Sequence, residues 1–200
     1  MLTNTTWTAT AYVGGALTLD FLNTAGGKTK SRVPERLVDL QALVSWSLTG
    51  QLITEVEAQT LQTLAFQEPV NGAQAVAHLT RLREATHDFL NAVIAAESPR
   101  DIPQDIGDWI HQAYAAAELK LRPGQPMDWN IQLEKTGLAT IGLRLALSLS
   151  DFLRSPELQM TKVCKACSWM FVDSSRSRRR QWCSMATCGN RAKAHRHYHG

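Results

Sequence analysis

The four cysteines of this chain all lie between residues 161 and 200, with the spacing Cys164-x2-Cys167-x15-Cys183-x4-Cys188. Short-spaced pairs let one tight turn supply two thiolates to a tetrahedral metal ion, and the long gap leaves room for a hairpin that returns the second pair. The amino terminus has neither the basic nor the apolar segment of a secretory signal, so a disulfide framework is not favoured. We therefore predict one structural Zn²⁺, because four thiolates leave no coordination position for water.

Residues around the cysteines predict the shape of this zinc domain. The run 169–172 fits a strand, and 180–182 fits its partner in a hairpin. Ser184 fits a helix cap that places Cys188 in the first turns of a helix. A knuckle, a hairpin and a helix that supplies the second cysteine pair make a treble-clef-like zinc finger.

Charge is divided along the chain at the same place. Residues 161–200 contain nine Lys and Arg against Asp173 alone, a net charge of +8, whereas residues 1–160 carry −5. A basic tail on an acidic body predicts a polyanion as partner of the tail only. Arginines can contact phosphates and can pair with guanine when a helix enters the major groove. The alternative is a solvated charged face that keeps a small domain soluble. The residues predicted to bind nucleic acid are Arg176, Arg178, Arg179, Arg180, Arg191, Lys193 and Arg196.

The preceding part of the chain is predicted to be helix-dominated α+β. Apolar residues recur at helical spacing in residues 35–49, after Thr54, from 73 to about 97, after Pro103 and in 138–153. Thr54 and Glu57 match a capping box, and Asn71-Gly72 matches a turn. The segment 17–21 alternates like a strand, although a helix from Asp20 also fits, and 119–133 fits a hairpin with a long loop.

The domain boundary is predicted near Pro156–Thr161, which gives a helical α+β domain over residues 1–157 and a zinc finger over 158–200. Purely aliphatic runs such as 92–96 are far shorter than the roughly 20 residues that a membrane helix needs, so no membrane partner is expected. We expect a soluble, cytoplasmic protein.

Two segments resemble a known pair of families. The run 183–193, Cys-Ser-Met-Ala-Thr-Cys-Gly-Asn-Arg-Ala-Lys, resembles the signature of CGNR zinc fingers, and 169–180 resembles the segment that those fingers carry between their cysteine pairs. Gly15 with 19–24, Leu-Asp-Phe-Leu-Asn-Thr, and 82–84, Leu-Arg-Glu, resemble the ABATE domain, as does the end of an apolar helix at 153–158. This resemblance implies a stress-induced transcription regulator with an N-terminal domain that binds a ligand and a zinc finger that binds DNA.

The resemblance also directs attention to Asp20, Asn23 and Arg83 as candidate ligand-binding residues. If they are buried, each needs a hydrogen-bond partner, and Arg83 could serve Asp20. The alternative is a structural role, in which Asp20 and Asn23 lock the N-terminal segment and Arg83 is a counter-ion.

The sequence therefore favours a DNA-binding transcription regulator whose N-terminal domain senses a small ligand or a partner. Alternative functions are an RNA-binding protein, a protein-interaction zinc module, and an enzyme that uses Asp20, Asn23 and Arg83. RNA binding would need exposed Trp169, Phe171 or Trp182 for base stacking, and we expect these rings to pack around the zinc instead. No nucleophile–base pair supports catalysis, so a non-enzyme is predicted.

Overall fold

The computed structural model describes residues 7–95, 101–121, 124 and 127–199 of the chain. The structure is dominated by helices, and its short strands form two separate two-stranded antiparallel sheets, β1–β2 and β3–β4. In chain order the elements are α1 (Leu17–Leu22), α2 (Leu40–Thr49), α3 (Glu55–Gln67), α4 (Pro69–Ile94), α5 (Gln104–Ala116), β1 (Glu118–Lys120), β2 (Asp128–Asn130), α6 (Leu133–Thr136), α7 (Thr140–Arg154), β3 (Thr161–Val163), β4 (Met170–Val172) and α8 (Asn190–His199). The predicted helix-dominated α+β class is confirmed.

Helix α1 occupies the centre of the core. Residues 18–22 are all buried, and α1 packs against α4 and α7. This explains why the strand predicted for 17–21 is wrong: apolar residues alternate there, but the intervening Thr18 and Asp20 are buried as well. Alternation indicates a strand only when one face of the segment meets solvent.

Two further helix boundaries differ from the prediction. The helix predicted from residue 35 begins at Leu40, because the Asp39 side chain accepts a hydrogen bond from the Ala42 N–H at 2.7 Å and caps it. Asn71-Gly72 is not a turn but part of α4. A Cβ on Gly72 would lie 3.1 Å from Leu40 Cδ2, so this glycine allows α2 to pack closely on α4.

The capping box and the hairpin are confirmed. Thr54 Oγ1 accepts from the Glu57 N–H, and the Glu57 carboxylate accepts from the Thr54 N–H, at the start of α3. Strands β1 and β2 pair in register with Leu119 opposite Trp129. Pro123, which the sequence placed in the connecting loop, lies outside the described residues.

The predicted finger hairpin is wrong in its pairing. Strand β4 pairs with β3, with Lys162 opposite Phe171, and the run 180–182 is not a strand. One backbone bond holds that run beside the first cysteine pair, from the Lys165 N–H to the Gln181 carbonyl at 3.0 Å. The hairpin therefore encloses the first cysteine pair instead of separating the two pairs.

Strand β4 also belongs to the core of the preceding helices. Met170 and Val172 are buried in the same apolar cluster as Leu19 and Phe152. The Val172 N–H donates to the Gly14 carbonyl at 2.7 Å. The structure thus joins the cysteine-rich segment to the helical part through side chains and backbone.

The stretch Leu133–Arg154 comprises 22 residues and contains an 18-residue window with a mean hydropathy of 1.2, so by length and composition alone it could cross a membrane. In the structure it is α6, a short turn and α7, and Ile141, Leu145 and Leu149 are buried in the core. Packing inside the protein therefore accounts for its apolar character.

A glycine pair tests the packing of α7 on α5. A Cβ on Gly142 would lie 2.6 Å from the Trp109 ring and 2.9 Å from Leu79 Cδ2, whereas one on Gly107 of α5 would meet nothing within 4 Å. We expect Gly142→Ala to lower the free energy of unfolding by about 1–3 kcal/mol through overpacking. The matched variant Gly107→Ala should raise it by roughly 0.5–1 kcal/mol, because alanine favours an open helical position. Urea unfolding measures both, and equal effects would contradict this packing.

Candidate zinc centre and nucleic-acid interface

The four cysteines form one buried cluster. Cys164, Cys167, Cys183 and Cys188 are at most 1% exposed, and their sulfur atoms all lie within 4.8 Å of one another. The Sγ–Sγ distances are 3.7 Å for Cys167–Cys183 and 3.6 Å for both Cys183–Cys188 and Cys188–Cys167. These are far longer than a disulfide bond, so the thiols are free.

The same distances fit a zinc ion. With a Zn–S bond of about 2.3 Å, the sulfurs of a tetrahedral site stand about 3.8 Å apart. Hydrogen bonds from the Cys167 and Cys183 thiols lower the pKa of Cys164, and Cys164 in turn raises the pKa of Cys167 and of Cys183. A cation is therefore needed for all four sulfurs to be thiolates together. The site holds one structural zinc ion, and the four thiolates would fill its coordination shell.

Aromatic rings cover this centre, as the sequence predicts. Phe171 is fully buried against the cysteines, and Trp169 and Trp182 are partly buried beside them. Phe171 therefore offers no surface for base stacking, and packing on the zinc centre reduces the surface that Trp169 and Trp182 could offer to single-stranded RNA.

Two of the predicted nucleic-acid-binding arginines are held by the zinc centre. The Arg180 guanidinium lies 4.4 Å from the centre of the Phe171 ring and donates to the carbonyls of Trp182 and Cys183. Arg191 donates to Cys188 Sγ at 3.1 Å. An N–H donor on a ligand sulfur stabilises the thiolate, so Arg191 supports the metal site in addition to any other role.

The other three arginines of residues 176–180 lie on a loop whose two ends are held by one aspartate. Asp173 is fully buried and accepts from Lys162 Nζ at 2.6 Å, from the Ser175 N–H at 3.1 Å and from the Arg180 N–H at 3.0 Å. These hydrogen bonds, that of Lys162 first, lower the pKa of Asp173. Residues 174–180, the arginine loop, are thus fixed at both ends, and the loop exposes Arg176, Arg178 and Arg179. No pattern in the sequence singled out Asp173 for this role.

Helix α8 supplies the remaining basic side chains. Lys193 and Arg196 are exposed and stand three residues apart, so they share one face of the helix. Arg191 lies one turn nearer the cysteines and points to the zinc centre. The predicted basic residues therefore fall into two groups: Arg180 and Arg191 contact the protein, although Arg191 is also exposed, and the others face solvent only.

Asn23 links the helical part to the finger. Its Nδ2 donates to the Met170 carbonyl at 2.9 Å, and its Oδ1 accepts from the Met170 N–H at 2.9 Å. The side-chain amide thus pairs with β4 as a neighbouring strand would. Both hydrogen-bonding ends of Asn23 are used inside the protein.

A second link is the segment 25–32, which we call the docking loop. Its carbonyls accept from the finger: Thr29 from the Ser168 N–H at 2.9 Å, and Ala25 from the Trp169 indole N–H at 3.0 Å. From the helical side, His87 Nε2 lies 3.2 Å from the Ser168 carbonyl, and burial lowers the pKa of His87. A neutral imidazole therefore donates to the carbonyl of Ser168, the residue that follows the second cysteine.

Arg83 is 2% exposed, and it pairs with two glutamates and not with Asp20. It donates to Glu35 and to Glu84, and to Thr24 Oγ1 at 3.0 Å. Burial opposes the ionisation of Glu84, but the guanidinium groups of Arg32 and Arg83 outweigh it and lower the pKa of Glu84 to about 2. This network ties α4 to the docking loop.

Asp20 is buried without a cation among its described contacts. Its Oδ1 accepts from the Gly14 N–H at 2.7 Å, and Gly14 in turn receives the Val172 N–H. Burial raises the pKa of Asp20 to about 6. Asp20, Asn23 and Arg83 are therefore all buried near the junction with the finger, but their polar groups bind different protein partners.

A surface groove of about 850 Å³ lies elsewhere, between α4 and α5. Trp109 and Leu82 contribute apolar surface, and His78, Arg81 and Asp105 contribute polar groups. None of the three predicted ligand-binding residues lines this groove. Sequence periodicity could not indicate it, because its residues come from helices that the chain brings together only on folding.

The zinc assignment predicts a metal content of one ion per chain. Native mass spectrometry should detect that ion, and a thiol reagent should leave the four cysteines unmodified until a chelator is added. Cys188→Ser should lose most of the zinc, whereas Ser184→Ala, next to Cys183, should keep it. A metal-free chain with four reactive thiols would contradict the assignment.

The raised pKa of Asp20 predicts that this carboxyl lowers the free energy of unfolding as the pH rises. A carboxyl with a pKa of about 6 in the folded state and about 4 when unfolded favours folding at low pH, and this contribution is lost as the pH rises from about 4 to 6. Relative to the wild type, Asp20→Asn should therefore gain stability across that window, by roughly 2–3 kcal/mol at pH 7.5. Urea unfolding from pH 4 to 8 measures this, and a difference independent of pH would contradict it.

Comparison with known families agrees with this geometry. Residues 160–199 match the CGNR zinc finger, which contains all four cysteines. Residues 15–156 match ABATE, described as "Putative stress-induced transcription regulator". No curated protein matches the chain. Because the ABATE match covers well over half of its residues, this chain belongs to the ABATE family, with a CGNR zinc finger after the ABATE region.

Proposed function

We propose that this protein is a DNA-binding transcription regulator of the cytoplasm, in which the finger contacts the phosphate backbone of duplex DNA. The family description supports a regulatory role, and both matching families are of regulator or zinc-finger type, which favours a non-catalytic protein. The same four-thiolate zinc site that stabilises the finger has no open position for catalysis.

The observation that carries the proposal is the burial and pairing of Asp173, the single acidic residue in 161–200. Asp173 is buried and paired with Lys162, so it does not offset the exposed charges of the arginine loop and α8. Arg176, Arg178, Arg179, Lys193 and Arg196 are exposed and form no ion pair within the described part of the chain. A surface with cations only is what a polyanion requires.

The geometry favours DNA over the two other partners. The finger's aromatic rings pack on the zinc centre, which disfavours the base stacking typical of single-stranded RNA recognition. An acidic protein partner would present scattered carboxylates to the finger. Lys193 and Arg196 on one helix face, together with the fixed arginine loop, are better suited to a regular row of phosphates.

Signal reception is the second part of the proposal, and the groove between α4 and α5 is its supporting observation. Helix α4 carries Leu82 on the groove and the neighbouring Arg83 on the network beside the docking loop. A small molecule with an apolar ring that packs on Leu82 in this groove would therefore act on the same helix that positions the finger. Asp20, Asn23 and Arg83 would transmit this change through the junction.

Removal of two exposed arginines tests DNA binding. Arg176→Ala/Arg179→Ala should reduce the magnitude of the slope of log affinity against log salt by about 1.8 and weaken binding about 30-fold at 150 mM salt. The reason is that each phosphate that loses its contact keeps about 0.9 counterion, which is then no longer released on binding. Fluorescence anisotropy with a labelled duplex measures both quantities.

The control variant Lys120→Ala/Arg154→Ala removes the same amount of positive charge from exposed residues of the helical part, where Arg154 is paired with Asp151, and should bind as the wild type does. Arg191→Ala is unsuitable here, because Arg191 also contacts Cys188 Sγ and its loss would disturb the zinc site. Equal affinity and slope for wild type and the arginine-loop variant would exclude this loop as the contact surface.

A further inference from the structure

The docking loop carries basic residues that the finger-based proposal does not use. Residues 26–32 read Gly-Gly-Lys-Thr-Lys-Ser-Arg, with three cations and no acid. Two of these cations are committed to the fold: Lys30 donates to the Cys164 carbonyl, and Arg32 donates to Glu84 and to the Leu22 carbonyl. Lys28 is exposed and forms no hydrogen bond or ion pair within the described residues.

The loop holds Lys28 beside the start of the finger helix. Arg191, in the first turn of α8, approaches the carbonyl of Gly27 at 3.5 Å, and that carbonyl belongs to the peptide bond that joins Gly27 to Lys28. The next residue, Thr29, accepts from the Ser168 N–H at 2.9 Å. Contacts to the finger therefore stand on both sides of Lys28 along the backbone.

Glycines make this close approach possible. Gly26 and Gly27 have φ angles of +74° and +96°, which other residues rarely adopt. A Cβ on Gly27 would lie 2.6 Å from the Trp169 ring, and one on Gly26 would lie 2.2 Å from Ser168 Oγ. The backbone alone thus fixes the position of Lys28, which leaves its ammonium group available to a ligand.

Two carboxylates near the loop pair with arginines and not with Lys28. Glu84 is bound by Arg32 and Arg83, and Glu35 is bound by Arg83. Arg32 is thus neutralised within the fold, whereas the charge of Lys28 adds to that of the finger, even though the helical part as a whole is acidic.

We propose that Lys28 contacts a phosphate of the same DNA duplex that the finger contacts, so that both parts of the chain build the DNA-binding surface. This inference rests on the proposed function and adds to it a contact from the ABATE region. Lys30 and Arg32 are positioning residues, which hold the loop against the finger.

Salt-dependent anisotropy of the zinc-loaded full-length chain with a labelled duplex tests the proposal. Lys28→Ala should reduce the slope of log affinity against log salt by about 0.9 and weaken binding about fivefold at 150 mM salt. Lys28→Arg should keep the wild-type slope, because the positive charge remains. Lys120→Ala, an exposed lysine on β1, is the matched control and should bind like the wild type.

The possible outcomes separate this inference from the proposed function. If Lys28→Ala binds as the wild type does while Arg176→Ala/Arg179→Ala is weakened, the loop is not part of the surface and the inference alone fails. If the wild type binds no duplex at about 50 mM salt, or binds only an RNA hairpin, both fail. An unchanged melting temperature for Lys28→Ala, with the slope reduced, supports a direct contact.

Discussion

The pairing of Asn23 with the backbone of Met170 is the interaction on which the rest of the structure depends. It fixes β4 beside the end of α1, and β4 then places Met170 and Val172 in the helical core and Phe171 against the cysteines. A segment of about 40 residues rarely buries enough apolar surface to fold alone, so zinc and the helical part both contribute to the stability of the finger. Conversely, the helical core is completed by side chains that follow the first cysteine pair.

The sequence was most informative where one short pattern specifies one local geometry. The cysteine spacing predicted the zinc cluster, and Thr54 with Glu57 predicted the start of α3, because in both cases the interacting groups lie close in sequence. It was least informative where long-range packing decides. The strand predicted for α1 failed because both faces of that segment are buried. The pairing of β4 with β3 was missed because composition does not indicate which of two segments, 161–163 or 180–182, pairs with β4.

The same limit applies to the candidate site. Composition identified every basic residue of the finger, but it could not separate Arg180 and Arg191, which contact the zinc centre, from the arginines that face solvent. Nor could it show that Asp173 is buried and neutralised, or that Lys28 lies beside α8. These distinctions depend on contacts between residues far apart in the chain, and they decide which charges a polyanion can reach.

Our central claim is that the zinc centre and the helical part form one cooperative unit joined at β4. Hydrogen–deuterium exchange of the zinc-loaded and zinc-free chain tests it most directly. The account predicts that zinc removal will lower amide protection in β4 and also in α1, because the Val172 and Met170 amides are bonded to Gly14 and Asn23. Loss of protection confined to residues 160–199, with α1 as protected as before, would contradict it.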